Sequence, residues 1–355
     1  MRLALDATYA LDAEPSGVAR YCDRLVRELA RLAEVELTLC ARWPRFAGLR
    51  RHFAGLRFRS CWLQEPFNFR LPGSVDLFHG LNQRLPRYRF RRQVVTVHDV
   101  FPLSSERYAR PSFRARFSTI VGDAVARADR IICVSAYTRD QLCRLLPVEA
   151  DACVVIHHGV DQAPPEPSEA ARQRARKLAG PDPFFLAVGA VQVRKNTLAA
   201  VQAVARLPGR VRLVAAGGAG HEAGAVVDFI RRHRLGDRVR LLGYVDQQTL
   251  DALYAEAAAL LFPSLEEGFG LPLLEAMTRG LPVIASNVSS VPEIVGVAAI
   301  LLDPQDVEGM AEAARRLLQD QAWRAEWGAR GHARARCFTW EAAAHATLAV
   351  YRSLL

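Results

Sequence analysis

Two glutamates, Glu267 and Glu275, stand on either side of a glycine loop and the start of a predicted helix in this chain of 355 residues. The apolar run at 257–262 predicts a strand before them. Pro272 suits the first turn of a helix, and Gly280 suits its end. The first amides of a helix have no partner within it, and the glycines leave them uncovered. The stretch therefore predicts an anion site flanked by two carboxylates.

Carboxylates beside an anion site are useful when they accept hydrogen bonds from hydroxyl groups on either side of the anion. A nucleotide sugar has this layout, because its diphosphate lies between a sugar and a ribose. The stretch therefore favours a nucleotide-sugar ligand bound by Glu267 and Glu275. The alternative is a pair of solvated glutamates around an ordinary helix start, which is what isolated glutamates usually are.

A second phosphate-binding pattern follows the strand predicted at 184–189. Gly189 ends this strand, and the pair Arg194-Lys195 precedes a helix predicted at 197–206. A glycine followed by a basic pair at a helix start suits a diphosphate. Lys195 is also one of only two lysines in a chain with 45 arginines, which sets this position apart. The alternative is a basic pair on the protein surface.

His98 and Asp99 come directly after the buried strand predicted at 93–97. Ligands of parallel sheets bind at the carboxyl ends of the strands, which makes both side chains site candidates. From the residues alone, a histidine that caps a strand and an aspartate that begins a turn are favoured. Gly17 precedes the helix predicted at 18–33 and allows close backbone approach, although a single glycine is as often plain turn chemistry.

Strands and helices alternate along the chain, which predicts the α/β class with parallel sheets. Strands are predicted at 2–7, 35–40, 75–79, 93–97, 130–134, 184–189, 211–216, 239–242, 258–262 and 283–286. Helices are predicted at 18–33, 111–128, 136–146, 197–206 and 340–355. Residues 162–183 are rich in Pro, Glu and Ala and are interpreted as a linker. The length favours two domains, at 1–163 and 183–339.

Composition narrows the class of protein further. Half of the residues are hydrophobic, yet no stretch is long enough and free enough of charge to span a membrane, and no apolar leader is visible. The seven cysteines are scattered and lack metal-ligand spacing, so no structural zinc is expected. We expect neither a metal nor a cofactor in the site. These features predict a cytoplasmic protein with reduced thiols.

The net charge of +10 is unevenly distributed. Residues 41–60 contain six arginines and residues 84–92 contain five, with no acid in either stretch. Both are candidates for contact with anionic lipid or a phosphorylated carrier, and we expect them on one face of the first domain. A solvated face in an arginine-biased composition is an equal alternative, and no nucleic-acid-binding motif accompanies them.

The motif Glu267-Gly-Phe-Gly-Leu-Pro-Leu-Leu-Glu275 resembles the two-glutamate signature of family-4 retaining glycosyltransferases. Val-Thr-Val-His98-Asp99-Val is similar to the active-site histidine motif of that family, and the loop from Gly189 to Asn196 is similar to its phosphate loop. The resemblance covers almost the whole chain and is strongest at 189–293. It implies two Rossmann-like domains facing each other across a cleft (the GT-B fold), with a last helix at 340–355 that packs back on the first domain.

The resemblance also implies roles for the candidate residues. Glu267 is expected to hold hydroxyls of the donor sugar, and Glu275 the nucleotide ribose. Arg194 and Lys195 are expected to face the diphosphate. His98 is expected to contact the donor sugar, and Asp99 to border the acceptor. The donor-binding positions implied by the same motifs are Gly17, Gly189, Gly243, Tyr244, Val245, Gly268, Phe269, Gly270 and Leu271.

Two of these implications carry reservations from the residues themselves. The turn Gly243-Tyr244-Val245 is interpreted as a nucleobase contact, with a simple strand-to-helix connection as an equal alternative. Ala190 stands where many relatives place an arginine beside the diphosphate. Arg194 is therefore expected to carry more of the positive charge in this chain.

The function implied is transfer of a hexose with retention of configuration and without a metal. Within the family, the resemblance is to bacterial mannosyltransferases of O-antigen and related surface-polysaccharide assembly. It favours GDP-mannose as the donor and a saccharide or lipid-linked oligosaccharide as the acceptor. A UDP- or dTDP-sugar transferase of the glucosyl or rhamnosyl type is the alternative enzyme. A non-catalytic nucleotide-sugar-binding partner is the alternative of another class. The expected location is the cytoplasm, with peripheral contact at the inner face of the plasma membrane.

Overall fold

The computed structural model describes residues 1–65 and 71–355. They divide into two compact units. The first comprises Met1–Glu106, Pro111–Gly159 and Phe338–Leu355, and the second comprises Arg107–Arg110 and Val160–Cys337. Each unit contains one parallel sheet, and the α/β architecture with two Rossmann-like domains is confirmed.

Among the described residues, the sheet of the first unit has seven strands. They are β1 (Arg2–Asp6), β2 (Glu36–Ala41), β3 (Arg59–Trp62), β4 (Leu77–Gly80), β5 (Gln93–Val97), β6 (Arg130–Cys133) and β7 (Cys153–Val155). Their spatial order is β3-β2-β1-β4-β5-β6-β7, so the winding reverses between β1 and β4. Doubly wound sheets bind ligands beyond the carboxyl ends of the strands at such a reversal.

In the part of the chain that the structure describes, six α-helices of the first unit lie before Gly159. They are α1 (Gly17–Leu29), α2 (Leu49–His52), α3 (Leu71–Ser74), α4 (Phe101–Ser104), α5 (Pro111–Arg127) and α6 (Ala136–Leu145). Ser16 caps α1, since its side chain accepts a hydrogen bond from the amide of Ala19. Ser135 caps α6 in the same way through Thr138. These caps hold the helix starts at the carboxyl edge of the sheet.

The sheet of the second unit has six strands. They are β8 (Phe184–Val188), β9 (Arg212–Ala216), β10 (Val239–Gly243), β11 (Leu260–Phe262), β12 (Val283–Ser286) and β13 (Ile300–Leu302). The order is β10-β9-β8-β11-β12-β13, which places the reversal between β8 and β11. The loops that follow these two neighbouring strands therefore begin side by side.

The helices of the second unit surround this sheet. They are α7 (Glu169–Ala179), α8 (Thr197–Ala205), α9 (Ala223–Arg232), α10 (Gln247–Glu256), α11 (Leu271–Thr278), α12 (Val291–Val295), α13 (Val307–Gln319) and α14 (Gln321–Ala335). The last helix of the chain, α15 (Trp340–Leu354), belongs to the first unit and packs against α1. Tyr351 on α15 is fully buried there.

The structure corrects three details of the sequence-based assignment. β3, β7 and β13 were not predicted, and each has only three or four residues. α1 ends at Leu29 and not at residue 33. The region 162–183 is not simply a linker, because it contains α7. Ser168 caps this helix, and Ala171, Ala175 and Ala179 recur every four residues and are buried.

The first arginine-rich stretch connects β2 with β3. β2 ends at Ala41, whereas β3 begins at Arg59 and runs parallel to β2. Arg42 therefore lies at the carboxyl edge of the sheet, and Arg59 lies at the amino end of β3, roughly 10 Å along the strand. Among the described residues, no helix is both long and apolar enough to cross a bilayer.

Candidate active site

Glu267 is the centre of a buried ion cluster in the second unit. Its Oε1 lies 2.5 Å from Lys195 Nζ, and its Oε2 lies 3.0 Å from Arg194 Nη1. Arg194 Nη1 also donates to the Glu266 carbonyl at 2.6 Å. The cations come from the loop after β8 and the carboxylate from the loop after β11, so the strand order explains why residues 72 and 73 positions apart meet.

The electrostatics of this cluster favour a permanently ionised carboxylate. Burial by itself raises the pKa of Glu267, but the charges of Lys195 and Arg194 outweigh it and hold the pKa at about 2. Glu267 is therefore anionic throughout the neutral range. In the absence of a ligand, both cations expected at the diphosphate share this carboxylate.

Two glycines give this site its shape. Gly189 follows β8 with a φ of 120°, and a Cβ there would lie 3.2 Å from Cε of Lys195. Gly270 precedes α11 with a φ of 97°, and a Cβ there would lie 2.8 Å from Cδ1 of Leu273. Both positions thus need glycine for backbone conformation, and Gly189 also leaves room for the lysine. Gly268, Phe269 and Leu271 are buried around the start of α11.

Glu275 has a different partner from Glu267. It lies on α11, is 7% exposed, and its Oε2 accepts a hydrogen bond of 2.9 Å from the hydroxyl of Tyr254 on α10. The guanidinium of Arg279 lies 5.4 Å from the centre of the Tyr254 ring and is paired with Asp251 at 2.6 Å. The Tyr254 hydroxyl therefore reaches Glu275 from a fixed ring. Sequence reasoning missed this contact, because Tyr254 has no motif around it.

The turn Gly243-Tyr244-Val245 lies at the carboxyl end of β10, two strands from β8. Gly243 has a φ of 69°, and its carbonyl accepts a hydrogen bond of 2.8 Å from the amide of Gly217. Tyr244 is 45% exposed. An exposed aromatic ring at the carboxyl edge of the sheet is suited to a flat ligand group such as a nucleobase.

In the first unit, His98 and Asp99 follow β5 as predicted. Gln83, in a left-handed conformation, accepts hydrogen bonds from both of their amides through Oε1, at 3.2 and 3.3 Å. His98 Nε2 lies 2.9 Å from the carbonyl oxygen of Leu81. Gly17 is the exposed first residue of α1, after the loop that follows β1. These three candidates therefore come from strands β1 and β5, on either side of β4.

A buried polar chain extends from the C-terminal helix toward His98. Tyr351 on α15 contacts His79 Nδ1 at 2.6 Å, and His79 Nε2 contacts the Thr96 hydroxyl at 2.8 Å. The Thr96 hydroxyl contacts Tyr21 at 2.9 Å. The ring of Tyr21 in turn packs edge-on against His98, with ring centres 4.8 Å apart. Sequence reasoning missed all four partners because they come from separate elements of the chain.

Burial keeps the histidines of this region neutral. It lowers the pKa of His98 to about 4, although the Leu81 carbonyl acts in the opposite direction. Burial and the neighbouring His98 lower the pKa of His79 to about 3 and that of His158 well below its usual range. A neutral imidazole has one N–H and one lone pair. Since a carbonyl only accepts, Nε2 of His98 carries the proton, and Nδ1 is left as an acceptor.

Comparison with known proteins identifies the family. Residues 15–163 match the model described as Glycosyltransferase Family 4, and residues 169–334 match the one described as Glycosyl transferases group 1. The chain is 34% identical over 285 residues to O-antigen chain mannosyltransferase B of Escherichia coli, covering 78% of this chain and 74% of that protein. The chain belongs to glycosyltransferase family 4. The histidine motif and the two-glutamate motif of this glycosyltransferase lie within the two matched segments.

Two further comparisons frame the glycosyltransferase. The serotype-specific mannosyltransferase WbdA of Escherichia coli is 27% identical over 275 residues, which are 74% of this chain but only 34% of WbdA. The structure of Anabaena HepE in complex with UDP-glucose superposes with a TM-score of 0.76 at 20% identity and covers 99% of both chains. The structural likeness shows that the glycosyltransferase has the GT-B fold.

Proposed function

We propose that this glycosyltransferase transfers mannose from GDP-mannose, with retention, to a saccharide or lipid-linked oligosaccharide in surface-polysaccharide assembly. The choice of sugar is supported by two relatives that are named mannosyltransferases. The single observation that supports donor binding is the buried cluster of Arg194, Lys195 and Glu267 beside the glycine loop.

The donor role follows from charge that develops during the reaction. The bond from the anomeric carbon to the phosphate oxygen breaks, and the nucleoside diphosphate leaves with additional negative charge. Lys195, Arg194 and the amides at the start of α11 are the groups of this unit that stabilise that charge. In this proposal Glu267 exchanges its two cations for the hydroxyls of the donor sugar, and the cations turn to the diphosphate.

The remaining candidates take part through hydrogen bonds. His98 offers the lone pair of Nδ1, so it accepts a hydrogen bond from a sugar hydroxyl and does not stabilise the anionic diphosphate. Glu275, held by Tyr254, accepts from the ribose. The acceptor hydroxyl forms the new bond on the face that the diphosphate leaves, and its proton passes to the leaving phosphate oxygen. This step explains retention without an enzyme nucleophile.

A UDP- or dTDP-sugar donor is the second candidate. It is supported by the likeness to Anabaena HepE, whose structure contains UDP-glucose. These donors differ from GDP-mannose in the nucleobase as well as in the sugar. The turn Gly243-Tyr244-Val245 is the proposed contact for the nucleobase. A non-catalytic binding partner is disfavoured, because His98, Lys195, Glu267 and Glu275 are all present.

A panel of nucleotide sugars tests the proposal. GDP-mannose, UDP-glucose and dTDP-rhamnose are compared by calorimetry and by release of the nucleoside diphosphate. We expect the tightest binding and fastest release with GDP-mannose. If UDP-glucose or dTDP-rhamnose is preferred, that sugar nucleotide and not GDP-mannose is the donor. Binding without release of the nucleoside diphosphate favours the non-catalytic alternative. Failure of every nucleotide sugar to bind rejects the donor site.

We also propose that the protein works in the cytoplasm, in peripheral contact with the inner face of the plasma membrane. The support is the net charge of +10 and the exposed arginines that precede β5, among them Arg89 and Arg91. Positive charge of this size attracts an anionic lipid surface, where lipid-linked acceptors reside.

A further inference from the structure

Two exposed tryptophans form a ring pair at the carboxyl edge of the first unit's sheet. Trp43 is 67% exposed and Trp62 is 39% exposed, and their ring centres lie 5.9 Å apart at an angle of 52°. Trp62 is the last residue of β3 and is in register with Ala41, the last residue of β2. Among the described residues, these are the only tryptophans counted with the exposed large apolar side chains.

Exposing two large rings together is costly unless they cover something. A fully buried aromatic side chain contributes roughly 1.5–3 kcal/mol relative to an exposed one, so paired exposure marks a surface with a function. The pair lies at the carboxyl edge of the sheet, along which α/β proteins bind their ligands, at the ends of the two strands that precede β1 in the spatial order. The position of the two tryptophans is therefore that of a binding surface, and not that of side chains that stabilise the fold.

The backbone under both rings is held by polar contacts. Arg42, just before Trp43, donates through its amide to the Thr8 hydroxyl at 3.1 Å, and that hydroxyl donates to Asp6 at 2.5 Å. Leu63, just after Trp62, donates through its amide to the Ala41 carbonyl at 2.9 Å. The rings are thus presented on a fixed backbone, which lowers the entropy cost of binding a ligand.

The charges at this edge point to an uncharged ligand. The Arg42 side chain is paired with Asp6 and with Glu65, and Arg45 is paired with Asp12 at 2.5 Å. Two guanidinium groups thus meet three carboxylates, so these groups bring no excess of positive charge for an anionic lipid. Carboxylates and guanidiniums beside aromatic faces are instead suited to hydroxyl groups next to C–H surfaces, since the face of an aromatic ring carries negative charge.

We propose that Trp43 and Trp62 form a platform for a sugar ring of the acceptor saccharide. The C–H face of the sugar stacks on the rings, and its hydroxyls reach the carboxylates and guanidiniums at the same edge. This inference rests on the proposed function, because it identifies the bound saccharide as the acceptor of the transfer reaction.

The test compares three variants with the unmodified protein. Trp43 and Trp62 are replaced together by Ala or together by Phe. Phe113→Ala is the matched control, because Phe113 is 50% exposed in the same unit but lies on α5. The probes are oligosaccharides of mannose, glucose and N-acetylglucosamine, titrated by calorimetry without a donor. The Kd of the nucleoside diphosphate, the acceptor KM in the transfer assay, co-sedimentation with vesicles and the oligomeric state are measured beside them.

We expect the double Ala variant to raise the Kd of the bound oligosaccharide and the acceptor KM about tenfold, as expected for two lost stacking contacts. The double Phe variant should lose less, and Phe113→Ala should lose nothing. The Kd of the nucleoside diphosphate should be unchanged in all three. Circular dichroism and the unchanged nucleotide affinity establish that the variants are folded.

Four outcomes overturn the inference, and a fifth rejects only the proposed donor function. An acceptor KM within twofold of the unmodified protein in the double Ala variant removes the platform. Loss of vesicle binding with an unchanged acceptor KM makes it a lipid contact, and a change of oligomeric state makes it a contact between copies. If nucleotide sugars bind and turn over but no oligosaccharide binds, the platform alone fails. If oligosaccharides bind through the tryptophans but no nucleotide sugar does, the proposed donor function alone fails.

Discussion

At the scale of single residues, the site pairs opposite charges that the proposed reaction must separate. Lys195 and Arg194 share Glu267, and the pKa of this carboxyl is held at about 2. Removing the lysine and removing the glutamate should therefore have different consequences, although both side chains belong to one cluster.

In the proposed function, Lys195→Ala withdraws charge that stabilises the leaving diphosphate. We expect turnover to fall on the order of 100-fold or more, with a smaller loss of nucleoside diphosphate affinity.

Glu267→Ala should abolish transfer, while the bare nucleoside diphosphate binds as well as before or more tightly, because the cations are released to it. Turnover assays and calorimetry check both. A Glu267→Ala protein that transfers sugar normally contradicts the role assigned to this residue.

Glu275→Ala should weaken even the bare nucleotide. A hydrogen bond to a charged group contributes about 1.5–3 kcal/mol, so the Kd should rise roughly tenfold or more. Tyr254→Phe keeps the carboxylate but removes the hydroxyl that holds it, and should give a smaller increase. Calorimetry with the nucleoside diphosphate measures both. If Glu267→Ala weakens the bare nucleotide more than Glu275→Ala does, the roles of the two carboxylates are reversed.

The buried histidines make stability depend on pH. In the folded protein the pKa of His98 is about 4 and that of His79 about 3, whereas unfolded histidine titrates near 6.5. Their contribution is complete above pH 6.5. It is lost as the pH falls toward 4, because only the unfolded chain takes up the protons. The slope is at most about 1.4 kcal/mol per pH unit for each histidine.

Urea unfolding at pH 7.5, 6 and 5 measures this loss. His98→Gln removes one of the titrating groups, so its free energy of unfolding should fall less steeply with pH than that of the unmodified protein. His345→Gln is the control, because His345 is exposed on α15. Equal slopes for the unmodified protein and His98→Gln contradict a buried neutral imidazole at position 98.

At the scale of elements, α15 shows what close packing demands of the chain. Gly159 follows β7 by four residues, and a Cβ there would lie 2.2 Å from the amide nitrogen of Trp340, the first residue of α15. The obstacle is backbone, which cannot rotate away as a side chain does. The helix therefore starts directly against this glycine.

Gly159→Ala should lower the melting temperature by several degrees, since overpacking costs about 1–3 kcal/mol. Gly122→Ala is the matched control. Gly122 lies within α5 with nothing within 4 Å of the added Cβ, and alanine favours a helix by up to about 1 kcal/mol. The control should be neutral or stabilising. A Gly159→Ala protein that melts at the same temperature contradicts the close approach.

Sequence patterns predicted the elements that depend on local residues and missed the pairings that depend on the fold. The positions of His98 and Lys195 followed from their places after strands, and the helix start at Leu271 followed from Gly270 and Pro272. The contact of His79 with Tyr351 spans 272 residues, so no local pattern contains it. α7 was missed because the prolines around it suggested a linker, while its buried alanines carry a weak hydrophobic signal.

At the scale of the whole molecule, the excess of arginine acts through long-range attraction. Each basic residue near an anionic bilayer contributes about 1 kcal/mol. Within the first stretch, Arg42 pairs with Asp6 and Glu65, and Arg45 pairs with Asp12, which offsets part of its positive charge. The exposed residues Arg89 and Arg91 of the second stretch are candidates for the membrane contact.

Co-sedimentation with vesicles checks this attraction. We expect binding that increases with anionic lipid content, decreases with salt, and is weaker in the double variant Arg89→Ser, Arg91→Ser. Arg315→Ser is the control, because Arg315 lies in the second unit and pairs with Glu312 on the same helix. Binding that is indifferent to lipid charge at low salt removes the membrane proposal.

The shared carboxylate of Glu267 also bears on which anions the empty enzyme takes up. Inorganic phosphate that contacts Lys195 and Arg194 competes with the Glu267 carboxylate, which already lies within 3.0 Å of both. Phosphate has no hydroxyl groups of a sugar that could replace the two cations as partners of Glu267. In the proposed function, a nucleotide sugar offers hydroxyls to Glu267 while its diphosphate takes the cations, so both sides of the ion pair are compensated. After the sugar has been transferred, Glu267 can pair with Lys195 and Arg194 again and so compete with the nucleoside diphosphate. We therefore expect the pairing of Glu267 with Lys195 and Arg194 to weaken the binding of anions that lack a sugar. The donor replaces this pairing when it binds, and the pairing forms again after transfer, which favours release of the nucleoside diphosphate.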